Sequence, residues 1–322
     1  MSRRMVTIVI ILAAVLLFIY VANTRRFTTG DVKPLPQAAP LRVTLSAPSM
    51  SLLQKAEKLM AEGNFDEAVA LIDSQLPDFA KDTENIEDVV ALLLLKADIY
   101  EARNNLLGIK GAYQTILRDY PNTVLISEIQ EKWESVNMKI LFSKVIDEER
   151  NDIRYEVQSG DTLGKIAQQF NVSVELLRRA NGLTGDLIRV GDNLKIPGSK
   201  FSVLVDKSLN TLFLKANGDV IKTYTVATGK DNFTPQGEFT IVNKLSDPVW
   251  YKAGAIVPPE SPDNILGSRW LGISKPGYGI HGTTDPDSIG QNVTQGCIRM
   301  RNADVEELYA ILSIGTEVVI IE

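Results

Sequence analysis

The 322-residue sequence contains a single cysteine, Cys297, and a single histidine, His281. One cysteine excludes an intramolecular disulfide bond, and one cysteine with one histidine falls short of the four ligands of a structural zinc site. We therefore expect no metal and no cofactor. The chain carries 34 Lys and Arg against 40 Asp and Glu, has a net charge of −6 and contains no basic tract, which argues against a nucleic-acid-binding protein.

A long apolar run stands at the start of the chain. Residues 5–22 carry no charge, and as a helix they would extend about 27 Å, close to the hydrocarbon thickness of a bilayer. A cleaved signal peptide would have a shorter apolar region ending in a small-x-small site, whereas here Arg25 and Arg26 follow the run. The run predicts an uncleaved transmembrane anchor preceded by a stub, residues 1–4. Arginines flank both sides, so the free amino terminus only slightly favours an inside orientation of the stub.

Two different segments follow the anchor. Residues 23–50 contain four prolines and no sustained apolar period, which predicts a linker. Residues 51–148 have apolar residues at helical spacing, with a break at Gly63-Asn64. GNFDEAVALI and the later ALLLLKADIYEA resemble parts of tetratricopeptide repeats, although the two copies lie about 41 residues apart instead of 34. A plain helical bundle explains the pattern equally well, and either alternative gives a scaffold of helix hairpins.

The pattern changes again towards the C-terminus. From residue 201 onward short runs alternate apolar and polar residues, and turns at Leu209-Asn210 and Asn217-Gly218 separate them, which is typical of a β-meander. A helix is predicted over 302–312, and GTEVVIIE at the end of the chain predicts a strand. The whole sequence therefore predicts a multidomain α+β protein with a transmembrane helix, a helical-repeat-like α domain and a mainly-β C-terminal domain.

Between these parts, residues 153–198 predict a strand, two helices and a closing strand. The marks GDTL, RRANGL and IRVGDNLKIP resemble those of a LysM domain. The resemblance implies a βααβ fold that binds N-acetylglucosamine-containing glycans such as peptidoglycan, in a groove between loops 160–163 and 187–189. A structural spacer that has lost binding is the alternative. The glycan-binding residues that the resemblance implies are Gly160, Asp161, Thr162, Leu163 and Ile188.

The lone histidine and the lone cysteine share one stretch, IHGTTDPDSIGQNVTQGCIRM. A thiol with a pKa of about 8.5 is only a few per cent ionised at neutral pH, so a nucleophilic cysteine needs a base or a positive neighbour. His281 is the only imidazole available, and Arg299 lies two residues after Cys297. Backbone N–H groups of residues 295–297 are candidates for an oxyanion hole. The alternative is a small buried cysteine beside a structural histidine.

Residues 200–322 resemble the catalytic domain of the YkuD family of L,D-transpeptidases. The shared marks are VDKSLNTLFL, ATGK with TPQGEF, LGSRWLG, and YGIHGTT followed by SIG and TQGCIRMRNADVEEL. The family pattern of His, Ser or Thr, His, Gly and Cys implies His281 as general base and acid and Cys297 as nucleophile. It also implies Thr294 and Gly296 as residues of the nucleophile loop.

This sequence departs from the family pattern at two positions. Gln295 stands where many members have a second histidine, so a second imidazole has no role here and we expect the position to act through its backbone. Arg299 stands where other members have asparagine, and it either positions a substrate carboxylate or braces the loop. Gly282 is a further candidate for positioning the substrate.

The resemblance implies two-step acyl transfer on cell-wall peptides. Cys297 would attack the third residue of a stem tetrapeptide, release D-alanine and form a thioester that an amine resolves, giving a 3–3 crosslink or a protein–wall linkage. Water as acceptor would give an L,D-carboxypeptidase, and a decayed site would leave a non-catalytic wall-binding scaffold. A catalytic thiol is expected to have a depressed pKa, and a backbone carbonyl is expected to hold the second ring nitrogen of His281.

Localisation and partners follow from the same resemblance. The expected location is the bacterial cytoplasmic membrane, crossed once with the N-terminus inside and with the bulk of the chain in the periplasm or cell-wall space. The expected partners are the glycan strands and stem peptides of peptidoglycan, the membrane, and proteins that bind the helical region. Acylation of Cys297 by carbapenems is also implied.

Overall fold

The computed structural model describes residues 45–81, 86–252 and 254–322. The predicted stub 1–4, the predicted anchor 5–22 and most of the predicted linker 23–50 lie outside these residues. Among the helices that are described, none combines the length and the hydropathy that crossing a bilayer requires. The described residues belong to one compact unit, in which three regions follow one another along the chain.

The first region is a series of antiparallel helices, here called the helical region. Each helix contacts the next, and the first also contacts the third. The first helix begins at Ala47, not at 51 as predicted, because Pro48 fits the first helical turn, where its missing N–H costs nothing. The side chain of Ser46 caps this helix by accepting a hydrogen bond from the Ser49 N–H. The helices are α1 (Ala47–Ala61), α2 (Phe65–Phe79), α3 (Ile86–Ala102), α4 (Leu106–Asp119) and α5 (Ile126–Leu141).

The second region has the predicted βααβ order. Strands β1 (Ile153–Glu156) and β2 (Asn193–Ile196) pair antiparallel, and helices α6 (Leu163–Gln169) and α7 (Val174–Ala180) lie between them in the chain. The side chains of Thr162 and Ser173 cap α6 and α7, each by accepting a backbone N–H from the first turn. This βααβ domain encloses a small apolar core of its own.

The C-terminal domain is built on an eight-stranded mixed sheet in the order β13-β11-β10-β7-β14-β3-β4-β5. The predicted meander forms β3 to β5, and the last strand, β14, lies between β3 and β7, parallel to the first and antiparallel to the second. Two small pairs, β12 with β6 and β8 with β9, complete the domain. The elements are β3 (Phe201–Asp206), β4 (Thr211–Ala216), β5 (Asp219–Thr225), β6 (Thr228–Gly229), β7 (Gly237–Ser246), β8 (Trp250–Lys252), β9 (Ala255–Val257), β10 (Arg269–Ile273), β11 (Gly279–His281), β12 (Asn292–Thr294), β13 (Ile298–Arg299), α8 (Asn302–Ile311) and β14 (Glu317–Ile321).

One apolar core joins the three regions. Inward-facing residues of the large sheet pack against Val305 and Leu308 of α8. The same cluster includes Met138 and Leu141 from α5 and Leu176 from α7. Full burial of such side chains stabilises a fold by roughly 1.5–3 kcal/mol each, so both preceding regions are docked firmly on the C-terminal domain.

Buried ion pairs reinforce the junction of the helical region and the βααβ domain. Lys110 of α4 pairs with Asp147 at 2.7 Å, and Lys195 of β2 pairs with Asp152 at 3.0 Å. The ammonium of Lys195 also donates a hydrogen bond to the carbonyl of Ile140 at the end of α5. All four charged side chains are buried, so the loss of one partner would leave the other as an uncompensated buried charge.

Candidate active site

The parallel pairing of β11 and β13 brings the histidine and the cysteine onto one face of the sheet. Ile280 lies opposite Ile298, and both isoleucines point into the core. Since side chains alternate along a strand, His281 and Arg299 point the other way, and so does Cys297, which precedes Ile298. His281 pairs with Arg299, so Cys297 is offset from it by two residues along the neighbouring strand. From the strand spacing and the rise per residue, this offset corresponds to about 8 Å between the Cα atoms of His281 and Cys297.

His281 is a buried, neutral imidazole. It is 2% exposed, its Nδ1 lies 2.7 Å from the carbonyl oxygen of Gly282, and its ring stacks on Trp270 with centroids 5.9 Å apart. The pKa of His281 is lowered to about 4, mainly by burial and also by the positive charge of Arg299, although the carbonyls of Gly282 and Leu266 act in the opposite direction. The ring is therefore neutral at pH 7 and can accept a proton. The expected backbone carbonyl at one ring nitrogen is confirmed.

Cys297 is a protonated thiol in the resting site. Its Sγ lies 3.8 Å from the carbonyl oxygen of Gly277. Burial raises the pKa of Cys297, although the N–H of Gly279 and the charge of Arg299 favour the thiolate. The expected depressed thiol pKa is thus wrong, because the cost of burying a thiolate outweighs both favourable contacts. The resting pair is a neutral thiol and a neutral imidazole.

The loop before Cys297 is pinned by Thr294. The hydroxyl of Thr294 accepts a hydrogen bond from the Gly296 N–H at 3.2 Å and donates one to the Cys297 carbonyl at 2.7 Å. The N–H of Gly296 is therefore engaged within the loop, which corrects its predicted part in an oxyanion hole. Gln295 is exposed at the tip of this loop.

Gly296 has to be glycine for two reasons. Its φ of 120° lies where residues with a side chain are strained. A Cβ there would also lie 2.6 Å from Cε1 of Tyr278 and 2.8 Å from the carbonyl oxygen of Phe233. The loop can thus approach both neighbours only without a side chain at this position.

Arg299 braces the segment that follows the histidine. Its NH1 donates to the hydroxyl of Ser288 at 2.9 Å and lies 3.8 Å from a carboxylate oxygen of Asp285. Of the two predicted roles, these contacts fit the brace. The Nε atom of Arg299 is buried and has no hydrogen-bond partner among the described residues.

Gly282, the further candidate for positioning the substrate, contacts the histidine ring through its backbone carbonyl. It is buried, and a Cβ there would lie 2.1 Å from the side-chain oxygen of Asn302. That oxygen accepts hydrogen bonds from the N–H groups of Ser268 and Thr283. The side chain of Asn302 therefore ties the backbone around His281 to the start of α8.

Comparisons with known proteins agree with this geometry. Residues 200–320 match the model of the YkuD L,D-transpeptidase catalytic domain, and residues 155–197 match the LysM domain model. The protein named YkuD in Bacillus subtilis strain 168 is 39% identical over 175 residues, which cover 52% of this chain and 98% of that protein. This chain belongs to the YkuD family of L,D-transpeptidases. YqjB of the same organism is 41% identical over 41% of this chain and 76% of its own length.

A solved structure of an L,D-transpeptidase from Mycobacterium tuberculosis H37Rv also matches this YkuD-family chain. It is 20% identical, with a TM-score of 0.34, over 41% of this chain and 63% of that one. Within the described residues, no group of three or more His, Cys, Asp and Glu side chains is placed to hold a metal ion.

The LysM domain of this YkuD-family enzyme presents only part of the predicted glycan site. Gly160 and Thr162 are exposed, and the Asp161 carboxylate accepts hydrogen bonds from the Tyr155 hydroxyl and the Gln158 N–H, so it shapes the turn. The side chain of Leu163 is 2% exposed in the domain core, so it cannot touch a glycan.

The opposite side of the predicted groove, loop 187–189 with the adjacent Val190, carries exposed apolar side chains. The predicted residue Ile188 is half-buried against the domain core. Its neighbours Leu187 and Val190 are 78% and 70% exposed. The resemblance placed Leu187 in the groove loop and Val190 in the IRVGDNLKIP segment, but nothing in the pattern showed which side chains point outward.

Proposed function

We propose that this YkuD-family enzyme transfers the acyl group of a peptidoglycan stem tetrapeptide through a thioester on Cys297. The observation that carries the proposal is the β11–β13 register, which sets a neutral His281 beside the thiol on one face of the sheet. General base catalysis needs an unprotonated base near the proton that it removes. The tether of Thr294 on the nucleophile loop supports the same function.

In the first half-reaction, the thiol proton passes to the unprotonated ring nitrogen of His281 while sulfur bonds to the carbonyl carbon of the third stem residue. The tetrahedral intermediate then collapses, the C–N bond to D-alanine breaks, and the imidazolium gives its proton to the departing amine. The charge of Arg299 and the Gly279 N–H stabilise the thiolate as it forms. The backbone N–H groups of Gln295 and Cys297 are the donors that we assign to the oxyanion.

In the second half-reaction, an acceptor amine attacks the thioester and loses a proton to His281. The C–S bond breaks, and the sulfur takes that proton back. An amine on a second stem gives a 3–3 crosslink, and an amine on a protein gives a wall-attached protein. Water as acceptor would make the enzyme an L,D-carboxypeptidase.

In this proposal the LysM domain binds a glycan strand and holds it at a fixed position relative to Cys297. Because α7 packs against α8, a bound glycan strand would stay at a constant distance from Cys297, and its stems would be at high local concentration. We further propose that residues 5–22 anchor the chain in the cytoplasmic membrane with the N-terminus inside, and that the helical region binds protein partners. The uncharged run and the wall-directed domains support this placement.

The test of the reaction uses residues 45–322, which fall within the compact unit, with purified tetrapeptide muropeptides and mass spectrometry. The transpeptidase proposal expects crosslinked dimers with loss of D-alanine. Cys297→Ala and His281→Gln should both reduce product by at least about a hundredfold. Tripeptides without dimers would indicate the carboxypeptidase, and unchanged muropeptides would indicate a scaffold.

Two further measurements separate the remaining parts of the proposal. Incubation with a carbapenem should add the mass of the drug to the peptide that contains Cys297. Protease treatment of spheroplasts carrying the full chain should digest the LysM domain, and protection of that domain would contradict the proposed orientation.

A further inference from the structure

Two rows of residues cross the catalytic face of the sheet. The first row contains Leu245, Trp270, His281 and Arg299, which stand opposite one another on β7, β10, β11 and β13. The indole of Trp270 is thus the direct cross-strand neighbour of the imidazole. Trp270 is half-buried.

The second row lacks side chains where the indole lies. It runs from Asn243 through Gly272 and Gly279 towards Cys297. A Cβ on Gly272 would be 2.9 Å from Nε1 of Trp270, and a Cβ on Gly279 would be 2.7 Å from its Cζ2 atom. The indole therefore lies flat across Gly272 and Gly279. Its benzene edge lies over Gly279, whose N–H contacts the sulfur of Cys297.

A hydrogen bond fixes the other edge of the ring. Nε1 of Trp270 donates to the side-chain oxygen of Asn243 at 3.0 Å, and the same oxygen accepts the N–H of Gly272 at 3.2 Å. The indole consequently has one orientation, set by its seat and by its anchor. In that orientation it stacks on His281 with an angle of 17° between the ring planes.

We propose that Trp270 is a positioning residue for His281: its indole, seated on two glycines and held by Asn243, fixes the imidazole plane and keeps water from one ring face. The Gly282 carbonyl holds the imidazole at Nδ1, so the two contacts together restrict rotation of the ring. This inference rests on the proposed acyl transfer, because positioning matters only if His281 moves a proton.

Within the described part of the chain, few charged or titratable groups lie around His281. From β13 it faces the guanidinium of Arg299 and the thiol of Cys297, and Asp285 in the following loop pairs with that guanidinium. Arg269 on β10 is turned towards Asp247 and the Tyr309 ring. The indole is thus the neighbour that excludes water from the imidazole without bringing a charge.

The test exploits the single histidine of the chain, whose Cε1–H group gives one NMR signal. We expect Trp270→Ala to raise the pKa of His281 towards the ordinary value of about 6.5, because water regains the ring face. The acid limb of kcat/KM should move to higher pH by the same amount, and kcat should fall about tenfold with little change in KM. Trp270→Phe should keep the pKa of His281 and kcat much closer to wild type, since a phenyl ring still stacks on the imidazole.

Two more variants keep the inference falsifiable. Asn243→Ala leaves the indole but removes its anchor, so it should raise the His281 pKa less than Trp270→Ala does. It also serves if Trp270→Ala does not fold. Trp133→Phe, a change of the same kind in the helical region, should match wild type.

The inference is overturned if Trp270→Ala or, where that variant is unfolded, Asn243→Ala titrates like Trp133→Phe and keeps its kcat. The histidine titration and the pH profile of Cys297 alkylation need no peptide substrate. A wild-type protein that transfers no acyl group would therefore refute the proposed function and still leave the effect of the indole on His281 measurable.

Discussion

Replacing Gly296 by alanine should destabilise the nucleophile loop and displace it. The φ of 120° is a strained conformation for alanine and costs about 1–3 kcal/mol. The added methyl would also lie 2.6 Å from Tyr278 and 2.8 Å from a backbone oxygen of Phe233. Overpacking of this kind costs about 1–3 kcal/mol more, so the folded variant should lose about 2–6 kcal/mol of stability unless the loop moves.

To relieve these contacts the loop must move away from Tyr278 and Phe233, and this movement would displace the cysteine. To reach an ordinary contact distance of 3.4 Å, the methyl carbon must shift by about 0.8 Å. A misplacement of about 1 Å in an active site can lower the rate about a hundredfold. We therefore expect Gly296→Ala to lose about two orders of magnitude in kcat, together with part of its stability.

The matched control is Gly315→Ala. Gly315 has a φ of 88° but nothing within 4 Å of an added Cβ, and it lies far along the chain from the nucleophile loop. The control thus reports backbone strain without a clash, and its kcat should stay near that of wild type. Urea unfolding and the muropeptide assay measure both properties. If Gly296→Ala is as active as Gly315→Ala, the contacts with Tyr278 and Phe233 do not set the position of the cysteine.

Three further predictions concern the loop, the histidine and the buried charges. Thr294→Val removes both hydrogen bonds of the loop and should lower kcat about ten- to a hundredfold, whereas Thr294→Ser should stay near wild type in the muropeptide assay. The lowered pKa of His281 means that the unfolded chain takes up its proton first as pH falls, so urea unfolding should show about 3 kcal/mol lost between pH 6.5 and pH 4, a loss absent from His281→Gln. Asp152→Asn leaves a buried ammonium without its carboxylate and should cost about 3 kcal/mol in urea unfolding, whereas Asp78→Asn, at an exposed pair, should change little.

Each of these expectations has an outcome that contradicts it. An active Thr294→Val would show that the loop holds its shape without the hydroxyl. Equal acid sensitivity of wild type and His281→Gln would show that the imidazole is hydrated. Similar losses for Asp152→Asn and Asp78→Asn would show that the junction is open to water.

Local patterns in the sequence were sufficient to predict several of the helices and strands. The βααβ order, the meander from β3 to β5 and the helix Asn302–Ile311 were all predicted, because turn residues, caps and apolar periods act over a few neighbouring positions. The start of α1 was misplaced, since Pro48 was taken as part of a linker and in fact occupies a first helical turn. Leu163 was assigned to the glycan surface because its burial depends on how α6 packs.

Residue types and their spacing along the chain were sufficient to indicate the family and the order of the regions, and to select His281 and Cys297 as the candidate reacting pair. The tertiary structure alone decided the register that sets Trp270 beside His281 and the contact of Asn302 with the Thr283 N–H. It also decided that the thiol of Cys297 is protonated at rest. The physical reason is that register and burial arise from contacts between residues far apart in sequence, and a pKa responds to that burial and not to the neighbours in the chain.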